Sequence, residues 1–379
     1  MSRILDEHRQ LLADDVRLRA FEAALAETVT PQHVVLDLAS GTGILGFLAA
    51  RAGARRVYAV DGGGIIQIAR ALAHANNLDD RIVFINGAST HVTLPEQVDL
   101  IVSDQIGQFG FDAAIVRCFE DARRRMLKPD GVFIPSRLTL MVAPVTAPEI
   151  RARIDFWKSP VMGFDLNAAV PIALNTGYPQ KLRAEQVLGA AGAIATLDFA
   201  AGVPDAFKGE ATLTIERAGT MHGLGGWFLA QLSEHVTMTN SPLDPGAIHR
   251  RNAILPISEP VDVNPGDHVR VAMHVLHAQL LVKWQVEVTT ARGERRATSS
   301  HSTWSGTLLS TENLERMRPE RVVSLTPWGL ARRTILELCD GRRTAAAIEA
   351  AVLARHPDLF ASPADAAQFV AEVVIRYSR

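Results

Sequence analysis

Cysteine is almost absent: Cys118 and Cys339 are the two in a chain of 379 residues. They stand far apart and neither sits in metal-ligand spacing, which argues against a disulfide framework and a zinc site and fits a reducing cytoplasm. No run approaches the roughly 20 apolar residues of a membrane span, and Met1 to Asp6 lacks the apolar stretch of a signal peptide. The expectation is a soluble, cytoplasmic protein with no membrane partner. An excess of one charge is missing too, since 39 Lys and Arg stand against 41 Asp and Glu. Nothing global therefore draws the chain to nucleic acid, and no such partner is expected. Solenoid-length repeats and long polar tracts are also lacking.

What is present is the composition of an ordinary globular protein, 47% apolar and 21% charged, at a length that suits two or three domains. Ile4 to Leu25 reads as helix, with Leu11, Leu12, Val16 and Phe21 at helical spacing. Apolar runs at Val34–Leu38, Arg56–Val60, Ile82–Ile85 and Leu100–Ser103 read as buried strands. Helical stretches at Ile44–Ala52, Ile65–Asn76 and Ala113–Leu127 separate them, the pattern of a doubly wound, Rossmann-like parallel sheet. Near Lys128-Pro129-Asp130-Gly131 the pattern turns to β. Val269, Val271, Met273 and Val275 alternate with polar neighbours, as do Val282, Trp284, Val286 and Val288, which predicts an antiparallel barrel or sandwich. The last 60 or so residues read as a small, mostly helical, winged-helix-like unit. Its helices start at Thr326-Pro327, Thr344 and Ser362-Pro363, each with a hydroxyl cap.

The segment from Leu36 to Gly46 reads as strand, loop and helix, with Asp37-Leu38-Ala39-Ser40-Gly41-Thr42-Gly43 at its centre. Small residues let backbone approach a ligand, and the helix start offers unpaired N–H groups. Asp61, closing the next strand, stands where a ribose diol would be met. Gly46 supplies a late glycine, so the glycine count leaves NAD open. Asp37, within the leading strand, and Asp104, closing a fourth strand, tilt the reading to S-adenosyl-L-methionine. Asp37 also suits a loop-ordering acid, and Asp112 a helix N-cap.

Beyond the loop, the chain resembles the protein arginine methyltransferase family. His8-x-x-Leu11-Leu12-x-Asp14-x-x-Arg17 is similar to that family's H-x-x-M-L-x-D-x-x-R helix, which implies that Arg17 pairs with the cofactor carboxylate. The resemblance also implies cofactor contacts from His8, Asp37, Ala39, Gly41, Gly43 and Asp61, and from Ala88, Ser89 and Thr90, Thr90 standing where the family has an acid. Met162-Gly163-Phe164-Asp165-Leu166 is similar to the segment after the family's dimerisation arm, so a homodimer is implied. Thr220–Leu232 and Asn240-Ser241-Pro242 resemble its barrel strands, and its T-H-W loop maps onto Ile248-His249-Arg250. The family holds a guanidinium between two glutamates in E-W-M-G-Y-x-L-x-x-E. Here the loop reads Asp104-Gln105-Ile106-Gly107-Gln108-Phe109-Gly110-Phe111-Asp112-Ala113, with two aspartates and no aromatic after the first. That implies Asp104 and Asp112 orienting an arginine or another amine, with His249 and Asp14 as a proton exit or clamp. Only seven residues precede His8, so the family's tyrosine-rich helix is missing and a shorter cofactor lid is implied.

Leu325-Thr326-Pro327-x-Gly329 through Leu338-Cys339-Asp340-Gly341-Arg342-Arg343-Thr344 resembles PqqD-like domains, the recognition elements of ribosomal-peptide maturation, which bind leader peptides by strand addition. The expected layout is therefore an N-terminal helical cap over 1–30, a cofactor-binding domain over 31–135, a β substrate domain over 136–310 with an arm near 147–178, and a peptide-binding domain over 318–379. The function implied is S-adenosylmethionine-dependent N-methylation of an arginine or amine on a peptide or protein, with no metal. A methyltransferase for free arginine or another small amine, and an inactive peptide-binding module, are the competing readings.

Overall fold

In the computed structural model, which describes residues 3–308 and 310–378, the apolar runs of the first third become strands of one parallel sheet. Helices α1 (Arg3–Leu12) and α2 (Asp15–Thr28) precede it. Then come β1 (Val34–Leu38), α3 (Ile44–Arg51), β2 (Arg56–Asp61), α4 (Ile66–Ala75), β3 (Ile82–Asn86), β4 (Val98–Val102), α5 (Ile115–Arg125) and β5 (Leu127–Ile134). The strand order is β3-β2-β1-β4-β5 with every pair parallel. All five residues of β1 are buried, as a strand covered on both faces requires. Order reverses between β1 and β4, and a crevice opens there at the carboxyl ends of the strands. The Ser103 hydroxyl donates to the Leu38 carbonyl at 2.7 Å and ties the two strand ends together at that point.

Two elements depart from the sequence expectation. The helix over Ile4–Leu25 is broken, because Asp14 leaves the helical region (φ −86°, ψ 85°) and its carboxylate accepts the Arg17 N–H to start α2. Lys128 to Gly131, where the pattern turns to β, lies within β5, which is still a strand of the parallel sheet and not of the antiparallel ones.

Beyond it the chain builds two antiparallel sheets. The elements are β6 (Arg137–Val145), α6 (Pro148–Asp155), α7 (Val170–Leu174), β7 (Tyr178–Gln180), β8 (Gly192–Asp198), β9 (Ala206–Thr214), β10 (Gly219–Gln231), β11 (Thr237–Thr239), β12 (Asn252–Val263), β13 (His268–Leu276), β14 (Leu281–Thr289) and β15 (Arg295–Ser302). One sheet runs β7-β12-β10-β6-β8 with β11 beside β10; the other runs β15-β14-β13-β9. Val269, Val271, Met273 and Val275 turn to the core while their neighbours face outward, the alternation of a half-buried strand. Among the described residues no ladder joins the sheets, so the arrangement is a sandwich and not a closed barrel.

Residues Met1–Thr307 form one unit and Leu308–Arg379 another. The second has α8 (Thr311–Arg316), α9 (Pro327–Leu338), α10 (Ala345–Arg355) and α11 (Pro363–Tyr377). Thr326, Thr344 and Ser362 each cap a helix by accepting a backbone N–H. Ile335, Ile348, Val352, Val370 and Val373 make its core. Among its described residues there is no strand. No helix of the described residues is long and apolar enough to cross a membrane.

Candidate active site

The loop after β1 is held in conformations that favour small residues: Ala39, Gly41 and Gly43 have φ of +57°, +55° and +80°. A non-glycine in this region is a strained exception, and such exceptions cluster at ligand sites. Each carboxylate oxygen of Asp61 accepts a backbone N–H, Oδ2 from Gly41 at 2.8 Å and Oδ1 from Gly63 at 2.7 Å, which joins the ends of β1 and β2. A cleft of about 320 Å³ opens beside them, bordered by Ala39, Asp61, Ala88, Ser89, Thr90 and Gln105. Five of the residues named for the cofactor thus meet it: Ala39, Asp61, Ala88, Ser89 and Thr90. Cys118, also on its wall, went unrecognised because nothing in its local sequence marks it, and Gln105 stood out only for the missing aromatic.

His8 comes to the loop from α1. A Cβ built on Gly41 would stand 2.6 Å from the His8 ring, so the imidazole rests against this glycine. Asp37 lies beneath the loop and is fully buried, not on the cleft wall; its Oδ2 accepts the Gly46 N–H in the first turn of α3 at 2.8 Å. Burial raises its carboxyl to about 7, against the opposing pull of the Gly46 bond. The loop-ordering role describes Asp37 better than direct contact.

At the end of β4, Asp104 is engaged on one side only. Oδ2 accepts from Arg17 Nε at 2.5 Å and from Arg250 Nη2 at 2.8 Å, while Oδ1 is buried without a partner. Burial alone would lift the Asp104 carboxyl, but the guanidiniums of Arg250 and Arg17 outweigh it and hold the group below the usual carboxylate range. Arg17 also donates from Nη1 to the Leu11 carbonyl at 2.9 Å. Among the described residues its other terminal nitrogen has no hydrogen-bond partner.

The second acid of this loop behaves otherwise than expected. Asp112 accepts from the backbone N–H groups of Gln108 and Phe109 at 2.8–3.0 Å and so closes the loop on itself. Its carboxylate is engaged by backbone, whereas that of Asp104 is engaged by side chains. Its distance of four and three residues from those N–H groups, with glycines at 107 and 110, is the signal of a turn that the pairing with Asp104 obscured.

His249 and Asp14 are brought together, but through backbone. The His249 N–H donates to Asp14 Oδ2 at 2.7 Å and the imidazole is exposed, the geometry of a clamp between the N-terminal segment and the 248–251 segment. Asn240, fully buried, completes the frame: its amide donates to the carbonyls of Gln108 and Arg251, and its Oδ1 accepts the Phe228 N–H. The 104–113 loop is thereby fastened to β10 and to the 248–251 segment. Arg250, brought in by that segment, has a partner 146 positions away, and only its place in the T-H-W-like loop could have singled it out.

This arrangement suits S-adenosyl-L-methionine. A carboxylate for a ribose, a guanidinium with a free donor, and a glycine loop at a helix start converge where the strand order reverses. Comparison with known proteins gives the same direction. Residues 136–285 match the family model for the arginine methyltransferase oligomerization subdomain, and residues 19–140 that for ribosomal protein L11 methyltransferase. The chain is 30% identical over 273 residues to a probable protein arginine N-methyltransferase 6.1 of Oryza sativa subsp. indica, covering 69% of this chain and 67% of the relative. The corresponding protein of subsp. japonica is 31% identical, with 69% of this chain and 65% of the relative covered. The chain thus spans about two thirds of the length of these relatives. Among solved structures, the fold is similar to that in the Trypanosoma brucei PRMT1 enzyme-prozyme heterotetrameric complex with AdoHcy, with a TM-score of 0.69 and 23% identity over 78% of this chain and 97% of that one.

Proposed function

The chain belongs to the protein arginine N-methyltransferase family, and on that premise we propose that it transfers a methyl group from S-adenosyl-L-methionine to an arginine or other amine nitrogen of a peptide or protein. The observation that carries the reading is the cleft bordered by Ala39, Asp61 and Ala88–Thr90, with the Gly41 N–H on Asp61 and the Arg17–Asp104 pair at the neighbouring strand end. The cofactor, when bound, supplies an electrophilic methyl on a sulfonium. Arg17 would hold its carboxylate with the guanidinium nitrogen left free, and Asp61 would accept from its ribose hydroxyls while keeping its backbone bonds. Ala39, Ala88, Ser89 and Thr90 would border the rest. Transfer of this kind is an in-line displacement, so the protein's part is to align the acceptor nitrogen and exclude water. Asp104, Asp14 and the buried Asn240 fix the wall against which that alignment is made.

A homodimer fits the same reading. Residues 147–178 pack on the β sandwich at both ends, through Ile150, Ile154 and Ala173, and carry Phe156, Met162 and Phe164 53%, 91% and 73% exposed between them. An apolar groove of about 680 Å³ between α2, α3 and α4, lined by Leu18, Ile44, Phe47, Leu72 and Leu78, offers a complementary surface on a second copy. For the unit Leu308–Arg379, the Leu338-Cys339-Asp340-Gly341 turn supports leader-peptide capture. Exposed Val322, Val323 and Leu325 ahead of α9 are the apolar surface such a peptide would use.

The test is mass spectrometry of candidate peptides for a one-methyl gain, run beside calorimetry with S-adenosylhomocysteine. Arg17→Ala should weaken that binding about tenfold or more, since a charge-assisted contact to a carboxylate is lost; unchanged binding would remove Arg17 from the cofactor site. Repeating the assay on residues 1–307 separates the acceptors, because a small amine should keep its kcat/KM and a peptide held by the second unit should not.

A further inference from the structure

Helix α5 turns one face to the cofactor cleft: Ala114, Arg117 and Cys118, three and four positions apart, all border it. Arg117 is exposed, and its guanidinium makes no hydrogen bond or ion pair among the described residues. It stands in the first turn of α5, which has no acidic residue and no side-chain cap. A cation there opposes the helix dipole, so helix stability does not explain its place. The segment after β3 brings Ser89 and Thr90 to the same cleft. Arg125 holds that segment, donating to the carbonyls of Ser89 and Val92 at 2.7 and 2.8 Å. Among the described residues on this wall the only carboxylate is Asp61, and both its oxygens already accept backbone N–H groups. Gln105 Oε1 is a further acceptor, but Gln105 follows the end of β4, on the far side of β1 from β3.

We propose that Arg117 reads the purine base of the cofactor, and that with no carboxylate beside it the site takes a 6-oxo purine about as well as the 6-amino purine of adenosine. The inference rests on the cofactor reading and defines the class of nucleoside that the cleft accepts. Strand order sets which end of the nucleoside meets which group. With the amino-acid tail at Arg17 and the ribose at Asp61, where β2 ends, the base extends outward to the end of the edge strand β3. A guanidinium has five N–H donors and no acceptor. A 6-oxo purine answers it with two acceptors, O6 and N7, at the spacing that a guanidinium fork meets bidentately. A 6-amino purine offers N7 alone on that edge and turns its amino donor to the hydroxyl of Ser89 or Thr90, or to water. A site built around a fixed acceptor for the amino group rejects the analogue lacking it by orders of magnitude, and the base end of this wall has no such acceptor. Arg117 is thus a specificity-determining residue and takes no part in the transfer itself.

Calorimetry on the full chain compares S-adenosylhomocysteine with S-inosylhomocysteine for the wild type, Arg117→Ala and Arg117→Gln. The wild type should bind the two within about tenfold of each other. In both variants the ratio should move about tenfold or more against the inosyl ligand, which loses a bidentate contact where the adenosyl ligand loses a single bond. Arg117 is exposed and carries none of the core, so both variants should fold, and glutamine keeps an amide donor without the charge or the fork. Wild-type discrimination against the inosyl ligand beyond about tenfold, or an unchanged ratio in both variants, would overturn the proposal. Failure of the wild type to bind either ligand would instead bring down the cofactor reading on which it stands.

Discussion

Asp37 and Asp104 are chemically identical side chains, buried at adjacent strand ends, and their surroundings drive them apart. Asp104 has two cations on it and is held ionised; Asp37 has one backbone N–H, an unpartnered Oδ1, and a carboxyl raised by burial to about 7. The stability consequence has a definite sign. Between the ordinary value of 3.8 and about 7, the folded chain keeps a proton that the unfolded chain has released. The contribution of Asp37 is therefore most favourable at the acid end of that window and is lost as pH rises through 7, by about 4 kcal/mol at most. Asp37→Asn keeps an oxygen for the Gly46 N–H but cannot titrate. Thermal unfolding followed from pH 4.5 to 7.5 should show the wild type losing ground to the variant as pH rises, and parallel curves would refute the shifted carboxyl.

Helix α1 meets the loop after β1 at His8, whose ring lies against Gly41. An alanine at 41 meets two obstacles, the left-handed φ, costing about 1–2 kcal/mol, and the imidazole 2.6 Å from its Cβ. Gly41→Ala should lower stability, and adding His8→Ala should recover the steric part while leaving the backbone part. A denaturant double-mutant cycle measures this coupling, and strict additivity would mean that the ring does not rest there. The elements themselves were largely legible: Val34–Leu38 is apolar enough to need cover on both faces, and Val269–Val275 alternates as only a half-buried strand does. The break between α1 and α2 was not, because Leu11, Leu12, Val16 and Phe21 keep helical spacing across it and Asp14 reads as a partner of His249, not as the cap that starts α2. The site was legible where a residue's role is local, as at Gly41 and Asp61. It was not where the partner is distant: Arg250 reads as a solvated arginine until the fold sets it on Asp104. Asp112 misled for the opposite reason, since its partners are its own neighbours.

At the scale of the molecule, the arm over 147–178 and the groove beside α2 are surfaces that a single chain leaves uncovered. Met162→Asp with Phe164→Asp should convert a dimer to a monomer in sedimentation without unfolding the chain, because both side chains are exposed and carry none of its core. A wild type that sediments as a monomer at all concentrations would remove the arm from that role. The shared oxygen of Asp104 has a consequence at this scale too. Arg17 reaches it from α2 and Arg250 from the β sandwich, so donor and acceptor ends compete for one lone-pair set. Whatever a ligand drawing on Arg17 does to the grip on Arg250, a ligand at Arg250 must return to Arg17 in equal measure. Two ligands that drew on Arg17 and on Arg250 would thus feel each other through one atom, by the same free energy whichever bound first.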